Sequence, residues 1–389
     1  MSRLNELIQS ICPNGIEYKN LKDVLSIERG KRVVKKQLSE VHGYPVYQNS
    51  LTPLGLYVEY NCPENTAFVI MAGAAGEIGY SRERFWAADD CFAIVCPSSI
   101  CSKYIYHVLL NEQMVLKRNV RKASIPRLSR DTLECLKIPL PPLAVQQEIG
   151  RILDSFTELT AELTAELTAR RKQYEHYRDE LLTFDGSVKR MALKDVCIKV
   201  QDGNYGKEYP SKSELLKSGV PLINGKAIHG TICKEALDFI SEEKNEELKK
   251  ARIATDDVLF LNRGNIGETA YVPSEFDNCN IGPQVTLLRA NKSKILPKYL
   301  EFALHSKDVR NFISRVGGGT IKFLSVEPIR QLEIPVPPLA IQKQIVSVLA
   351  RFDTLCNDLT SGLPAEIAAR QKQYEYYRDK LLTFKELER

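Results

Sequence analysis

Apolar residues at steps of three and four mark two long segments of this chain, and the two are near copies. Residues 138–184 open with Ile-Pro-Leu-Pro-Pro-Leu-Ala-Val-Gln and close with Tyr-Arg-Asp-Glu-Leu-Leu-Thr-Phe. Residues 334–384 open with Ile-Pro-Val-Pro-Pro-Leu-Ala-Ile-Gln and close with Tyr-Arg-Asp-Lys-Leu-Leu-Thr-Phe. In the first copy the stripe is Val145, Ile149, Ile152, Phe156, Leu159, Leu163, Leu167, Tyr174, Tyr177 and Leu181. In the second it is Ile341, Ile345, Val348, Phe352, Leu355, Leu359, Leu363, Ile367, Tyr374, Tyr377 and Leu381. This spacing predicts a helix that pairs with another helix. Each copy is long enough for ~40 helical residues, hence ~60 Å. A narrow stripe on a lone helix has nothing to cover it, so the expected solution is that the copies pack on each other as an antiparallel, two-fold-like pair. Gly362 and Pro364 interrupt the second copy where the first has good helix formers. Proline removes an internal hydrogen bond and clashes with the preceding turn, so a kink or a two-piece helix is expected there.

The remaining sequence alternates with these copies. Leu21-Lys22-Asp23-Val24 and Leu193-Lys194-Asp195-Val196 stand at matching places, so the order is domain, helix, domain, helix. The divisions are 1–137, 138–184, 185–333 and 334–389. Residues 1–20 begin with an amphipathic piece (Leu4, Leu7, Ile8, Ile11) ending at the turn Pro13-Asn14-Gly15. In 21–137, residues 66–71 and 91–96 read as strands, with a tight turn at 72–76 and a helix at 103–116. In 185–333, residues 257–261 and 285–289 read as strands, with a turn at 262–267 and a helix at 296–316. Both globular parts are therefore mixed, and the fold class is α+β.

At 389 residues the chain is long enough for two or three domains. No apolar run approaches the ~20 residues that span a bilayer, and the N-terminus has no signal-peptide pattern. The ten cysteines are scattered, which suits reduced thiols in the cytoplasm. Cys91, Cys96 and Cys101 lack a metal-ligand spacing and read as small buried hydrophobes. The formal charge of +5 is unevenly spread. Residues 1–137 carry 18 basic and 14 acidic side chains and residues 185–333 carry 23 and 20, whereas 138–184 carry 5 and 8. A polyanion would bind the globular parts.

No stretch carries catalytic chemistry. Residues 219–226 resemble a phosphate-binding loop only loosely, with one residue too many and Ala227 where a hydroxyl should bind magnesium. Gly73 to Gly79 does not fit the dinucleotide fingerprint and reads as a β-turn. Asp238, Glu242 and Lys244 read as a solvated helix face rather than a nuclease site. The remaining signal is binding. Arg29, Lys31, Arg32, Lys35 and Lys36 surround Gly30 and could neutralise several phosphates, with salt-sensitive affinity. Arg118, Arg121 and Lys122 form a second basic patch. In the other globular part Gly318, Thr320 and Lys322 would let backbone amides and a hydroxyl approach a phosphate, and Arg263 with Asn265 suits base edges.

With these residues in view, the chain resembles the specificity subunit of type I restriction–modification enzymes. The resemblance rests on Pro141-Pro142-Leu143 with Gln146, on Pro337-Pro338-Leu339 with Gln342, and on the helical copies themselves. The tandem Thr160-Ala161-Glu162-Leu163 and Thr164-Ala165-Glu166-Leu167 resemble the subclass with such four-residue repeats. The resemblance implies that each globular part is a target recognition domain reading one half of a bipartite, asymmetric site on double-stranded DNA. It implies that the paired helices set the unread spacer and dock two methyltransferase subunits, which the restriction subunits join. The expected contact residues are Pro142, Leu143, Gln146, Tyr174, Tyr177 and Arg178, with Pro338, Leu339, Gln342, Tyr374, Tyr377 and Arg378. The chain itself would hold no cofactor and do no catalysis. S-adenosylmethionine would belong to the methyltransferase, and ATP and magnesium to the restriction subunit. A stand-alone DNA-binding regulator and a coiled-coil scaffold are the competing readings. The first does not need repeated Pro-Pro-Leu and Tyr-Arg-Asp segments, and the second does not need basic loops in both globular parts.

Overall fold

The computed structural model describes residues 2–206, 209–317, 323–358 and 361–387. They form two compact units, one of residues 1–165 with 365–389 and one of residues 166–364. In chain order the first unit contains α1 (Ser2–Ile11), β1 (Tyr18–Asn20), α2 (Leu21–Val24), β2 (Ser26–Arg29), β3 (Tyr44–Tyr47), β4 (Leu56–Tyr57), β5 (Thr66–Ile70), β6 (Ile78–Ser81), β7 (Trp86–Ala87) and β8 (Cys91–Val95). There follow α3 (Ser102–Asn111), α4 (Gln113–Arg118), α5 (Arg130–Glu134), β9 (Lys137–Pro139) and the start of α6 (Leu143–Leu181). The second unit takes the rest of α6, then β10 (Arg190–Ala192), α7 (Leu193–Val196), β11 (Cys197–Asp202), β12 (Val220–Ile223), β13 (Asp238–Ile240), α8 (Glu242–Glu247), β14 (Val258–Leu261) and β15 (Thr269–Tyr271). It continues with β16 (Asn280–Ile281), β17 (Val285–Ala290), α9 (Pro297–Leu304), α10 (Lys307–Gly317), α11 (Val326–Gln331), β18 (Glu333–Pro335) and α12 (Leu339–Asn357). Finally α13 (Leu363–Leu382) returns to the first unit.

The same three sheets are built in each unit. A four-stranded antiparallel sheet runs β2-β8-β5-β6 in unit 1 and β11-β17-β14-β15 in unit 2. A three-stranded sheet runs β4-β3-β7 and β13-β12-β16, and a two-stranded ribbon pairs β1 with β9 and β10 with β18. Every residue of β5 and β14 is buried, because these inner strands are covered on both faces. Alternate side chains point to opposite faces of a strand. Ala67 and Val69 therefore join the core shared with α3, while Phe68 and Ile70 meet Cys62 and Phe85. Val258 and Phe260 likewise join the core under α9, while Leu259 and Leu261 face Ile223, Ile253 and Ile281. The helix expected over 103–116 divides into α3 and α4, and that expected over 296–316 into α9 and α10.

The helical copies pair within each unit and run antiparallel. In unit 2, Phe352 of α12 lies 6.3 Å from Tyr174 and 5.6 Å from Tyr177 of α6, and Arg171 donates to the carbonyl of Cys356. In unit 1 the counterpart contact stacks Tyr377 of α13 on Phe156 of α6 at 5.2 Å. The second copy is indeed two helices. The Gly362 amide bonds the carbonyl of Asp358, and a Cβ at Gly362 would stand 2.5 Å from the Thr354 carbonyl. Pro364 then falls in the first turn of α13, where a missing N–H costs nothing.

One part of the expected stripe is corrected. Ile341, Val348 and Leu355 are 39%, 42% and 37% exposed, and the buried apolar positions of α12 are Ile345, Leu349 and Cys356. The helix is covered by α9 as well as by α6, so its buried arc is rotated from the one that pairing alone predicts. In the first copy Leu153, outside the expected stripe, is fully buried for a similar reason, since the core under α3 reaches it. Leu359 lies outside the described residues.

Candidate nucleic-acid interface

At one end of each four-stranded sheet the same loop scaffold is built from different sequences. Residues 71–77 join β5 to β6, and residues 262–268 join β14 to β15. In the first, the Gly76 N–H bonds the Ile70 carbonyl at 2.8 Å and the Glu77 N–H bonds that of Ala74 at 3.1 Å. In the second, Gly267 bonds Leu261 at 3.0 Å and Glu268 bonds Asn265 at 3.2 Å. Gly73, Gly76, Gly264 and Gly267 all have positive φ, a conformation that favours glycine. A passing segment braces each loop: Leu128 N–H to Met71 O in unit 1, Leu324 N–H to Asn262 O in unit 2, both 2.8 Å.

The loops leaving β2 and β11 meet the same end. Gly30 N–H bonds Cys91 O at 3.0 Å and Gly203 N–H bonds Val285 O at 2.9 Å. A Cβ on Gly30 would stand 2.1 Å from the Ala88 carbonyl oxygen, and one on Gly203 1.9 Å from that of Gly282. Glycine is required at both places by the close passage of a second backbone. The turn before β8 ties the two loops of unit 1 together, because Asp90 O accepts from Met71 N–H while Asp89 O accepts from Arg29 Nε.

These loops carry the basic residues singled out from sequence. Arg29, Lys31, Arg32, Lys35 and Lys36 are all exposed. Their loop is anchored by Val33, packed with Val46 and Ala88, and by Trp86 Nε1, which donates to Lys31 O at 2.8 Å. Arg118, Arg121 and Lys122 are exposed on the segment that passes the 71–77 loop. Among the described residues none of these eight has an ion-pair partner, so their charge faces solvent. A count of charged runs passes over Arg127, yet its backbone bonds that of Arg121 in both directions and bridges to Ala72. In unit 2 the Arg263 guanidinium lies 4.9 Å from the ring centre of Phe323, and Asn265 Nδ2 donates to Glu268 at 3.5 Å. Gly318, Thr320 and Lys322 lie outside the described residues. In unit 2 the root of the loops is a buried polar cluster. Asp202 accepts from Thr286 Oγ1 at 2.7 Å and from Asn262 Nδ2 at 3.4 Å, and Asn204 Nδ2 donates to Asn280 at 3.1 Å.

The residues expected at a subunit contact divide into two kinds. Pro142 and Pro338 are exposed, and Leu143 and Leu339 half-buried. Tyr174 and Tyr374 are buried beneath Arg178 and Arg378, whose guanidinium carbons stand 5.6 and 5.7 Å from the ring centres. Tyr177 and Tyr377 stand against Phe352 and Phe156. Gln146 and Gln342 are corrected: with 3% and 0% of their surface exposed they offer almost nothing to a partner. Each instead closes its own unit. Gln146 accepts from Cys101 N–H at 2.9 Å and donates to Pro141 O at 2.7 Å. Gln342 accepts from Leu296 N–H at 2.8 Å and donates to Lys294 O at 3.0 Å and Pro337 O at 2.8 Å. A buried amide with matched donors and acceptors is a tie between the helix copy and the start of α3 or α9.

A polar knot in unit 1 has no counterpart among the described residues of unit 2. His107 Nε2 is 3.0 Å from Asp154 and Nδ1 is 3.0 Å from the Tyr374 hydroxyl, while Lys103 also bonds Asp154. Burial opposes the Asp154 charge, but hydrogen bonds from His107 and Lys103 outweigh it and hold the carboxyl below its usual range. Phe302 and Ala350 occupy the places of His107 and Asp154 in unit 2. Among the described residues no group of three His, Cys, Asp or Glu side chains is placed to hold a metal ion, and no helix is long and apolar enough to cross a membrane.

The duplicated architecture has counterparts in known proteins. The model of the type I restriction modification DNA specificity domain matches residues 13–170 and again 186–369. A type I restriction enzyme specificity subunit of Haemophilus influenzae is 32% identical over 396 residues, covering 95% of this chain and 96% of the relative. The EcoR124I/EcoR124II specificity subunit of Escherichia coli is 31% identical over 392 residues, covering 95% and 89%. In fold, the S subunit of the type I system of M. genitalium superposes with a TM-score of 0.67 at 17% identity, covering 95% of this chain and 96% of that one. Matched over both of its repeats and over nearly its whole length, the chain belongs to the type I restriction–modification DNA specificity family.

Proposed function

We propose that this chain is the DNA-reading subunit of a type I restriction–modification enzyme, recognising a two-part, asymmetric site on double-stranded DNA. The observation that carries this is the duplicated loop end: two units share backbone bonds, glycines and sheet order, but present different side chains. Two scaffolds of one design with unlike surfaces suit two different half-sites. Exposed cations without acidic partners supply the phosphate contacts that fix register, and base edges supply specificity. The helix copies would hold the units at a set spacing and dock two methyltransferase subunits through their exposed faces, with Pro142 and Pro338 at the entrances. The restriction subunits would join that assembly. S-adenosylmethionine would be held by the methyltransferase and ATP with magnesium by the restriction subunit, leaving this chain without catalysis. The Thr-Ala-Glu-Leu pair within α6 would act as a length element, as in the subclass it resembles. A solved relative described by its complex assembly and conformational transition supports a multi-subunit system.

The test is co-expression with the methyltransferase of the same system, followed by mass measurement of the complex and sequencing of methylated adenines. One copy of this chain with two methyltransferases, and methylation at a single two-part motif, is expected. A chain that binds DNA alone and leaves no methylation pattern would point to a regulator instead.

A further inference from the structure

The two loop ends share one bridge whose composition is mirrored. In unit 1 it pairs Ala72 with Arg127, and in unit 2 it pairs Arg263 with Phe323. Each bridge precedes the same backbone bond, so the positions are equivalent, yet the arginine sits on opposite strands. Each unit thus places one arginine at the same point of its loop end, by different routes through the sequence.

Both guanidinium groups are free to bind. Arg127 is exposed and, among the described residues, has no acceptor for its side chain. Arg263 is exposed and held over the Phe323 ring. The other described arginines of residues 185–333, namely Arg190, Arg252, Arg289, Arg310, Arg315 and Arg330, each donate to a carboxylate or a carbonyl. Arg263 alone among them does not. Its root is fixed, because the adjacent Asn262 is fully buried and donates to Thr286 at 3.1 Å. A stacked guanidinium keeps its N–H edge open while losing rotational freedom, and that fork matches O6 and N7 of guanine.

We infer that Arg127 and Arg263 are equivalent specificity-determining residues, each reading one guanine in its own half-site through the major groove. This rests on the proposed DNA-reading role. A phosphate contact at the same place would accept lysine, since lysine acts as a point charge, whereas a bidentate base contact would not.

The experiment is methylated-adenine sequencing of DNA from cells making the intact complex, with wild-type chain or with Arg127→Lys, Arg127→Gln, Arg263→Lys or Arg263→Gln. The wild type gives a two-part motif. Either Arg127 variant then loses about ten-fold or more of the discrimination at one guanine in one half-site, leaving the other half and the spacer unchanged. The Arg263 variants do the same in the opposite half. The inference is overturned if the lysine variants keep the wild-type motif, or if one variant alters both halves. Methylation that weakens or vanishes uniformly, with the complex still assembled, overturns it too. A wild-type complex that yields no two-part motif defeats the DNA-reading role itself, which separates that failure from failure of the arginine assignment.

Discussion

Replacing Gln342 by leucine tests whether this residue braces its own unit or waits for a partner. Leucine fills similar volume but carries no polar atom. The substitution removes one acceptor from Leu296 N–H and one donor each from Lys294 O and Pro337 O, all within 3.0 Å and around a side chain with no exposed surface. Leaving a buried polar group unpaired costs about 1–3 kcal/mol, and carbonyls with a second lone pair fall toward the lower end. Three orphans give about 3–5 kcal/mol, a large share of the roughly 5–15 kcal/mol that holds a domain together. Gln146→Leu orphans two groups, Cys101 N–H and Pro141 O, and should cost about 2–4 kcal/mol in the other unit. The assay is urea unfolding of the isolated chain, with hydrogen exchange resolving each unit. Exchange should accelerate at the start of α9 for Gln342→Leu and of α3 for Gln146→Leu, while the exposed control Lys343→Ala stays within about 0.5 kcal/mol. The reasoning fails if either glutamine variant is within about 1 kcal/mol of wild type in the isolated chain and loses only partner binding.

Three further outcomes follow from the packing. Asp154→Ala should cost unit 1 about 1–3 kcal/mol, since it strips the acceptor from buried His107. The double variant His107→Phe with Asp154→Ala should cost less than the two singles added, because unit 2 is built with Phe302 and Ala350; strict additivity in a double-mutant cycle would contradict this. His305 touches Thr269 at 2.6 Å, and burial, helped by Arg178 and Arg310, pushes its pKa from 6.5 down to about 4. A depressed histidine keeps its stabilising contribution above the unfolded value and loses it as pH falls. Unit 2 should therefore weaken between pH 6.5 and 4, and His305→Gln should flatten that slope. Glu301, raised by burial, acts with the opposite sign, so the wild-type minus variant difference is the quantity to measure. Deleting residues 164–167 shortens α6 by about 6 Å. Both half-sites should survive with a spacer shortened by one or two base pairs, and a methylation motif with its old spacer would refute the length element.

The repeat was legible because helix pairing leaves a signature in sequence. A stripe must repeat every three or four residues to meet a neighbour, and both copies kept it along with the Pro-Pro-Leu entrance. The inner strands β5 and β14 were legible because each is a short apolar run between turns. The split of the second copy followed from Gly362 and Pro364 alone. Other features needed the third dimension. Ile341, Val348 and Leu355 match the stripe, but α9 also covers α12 and rotates the buried arc past them. Gln146 and Gln342 looked like surface markers of the repeat because their partners, the starts of α3 and α9, lie 45 and 46 residues away.

Sequence by itself determined the duplicated order of the chain, its α+β class and the family it resembles, since these depend on periodicity and on local backbone chemistry. Tertiary structure decided that Gly30 and Gly203 are the same position, that Arg127 and Arg263 occupy one bridge, and that His107, Asp154 and Tyr374 form a buried knot where unit 2 places Phe302 and Ala350. Those relations join residues by backbone passage and burial across long separations, and no pattern along a single strand of text records which distant chain will pass within 3 Å.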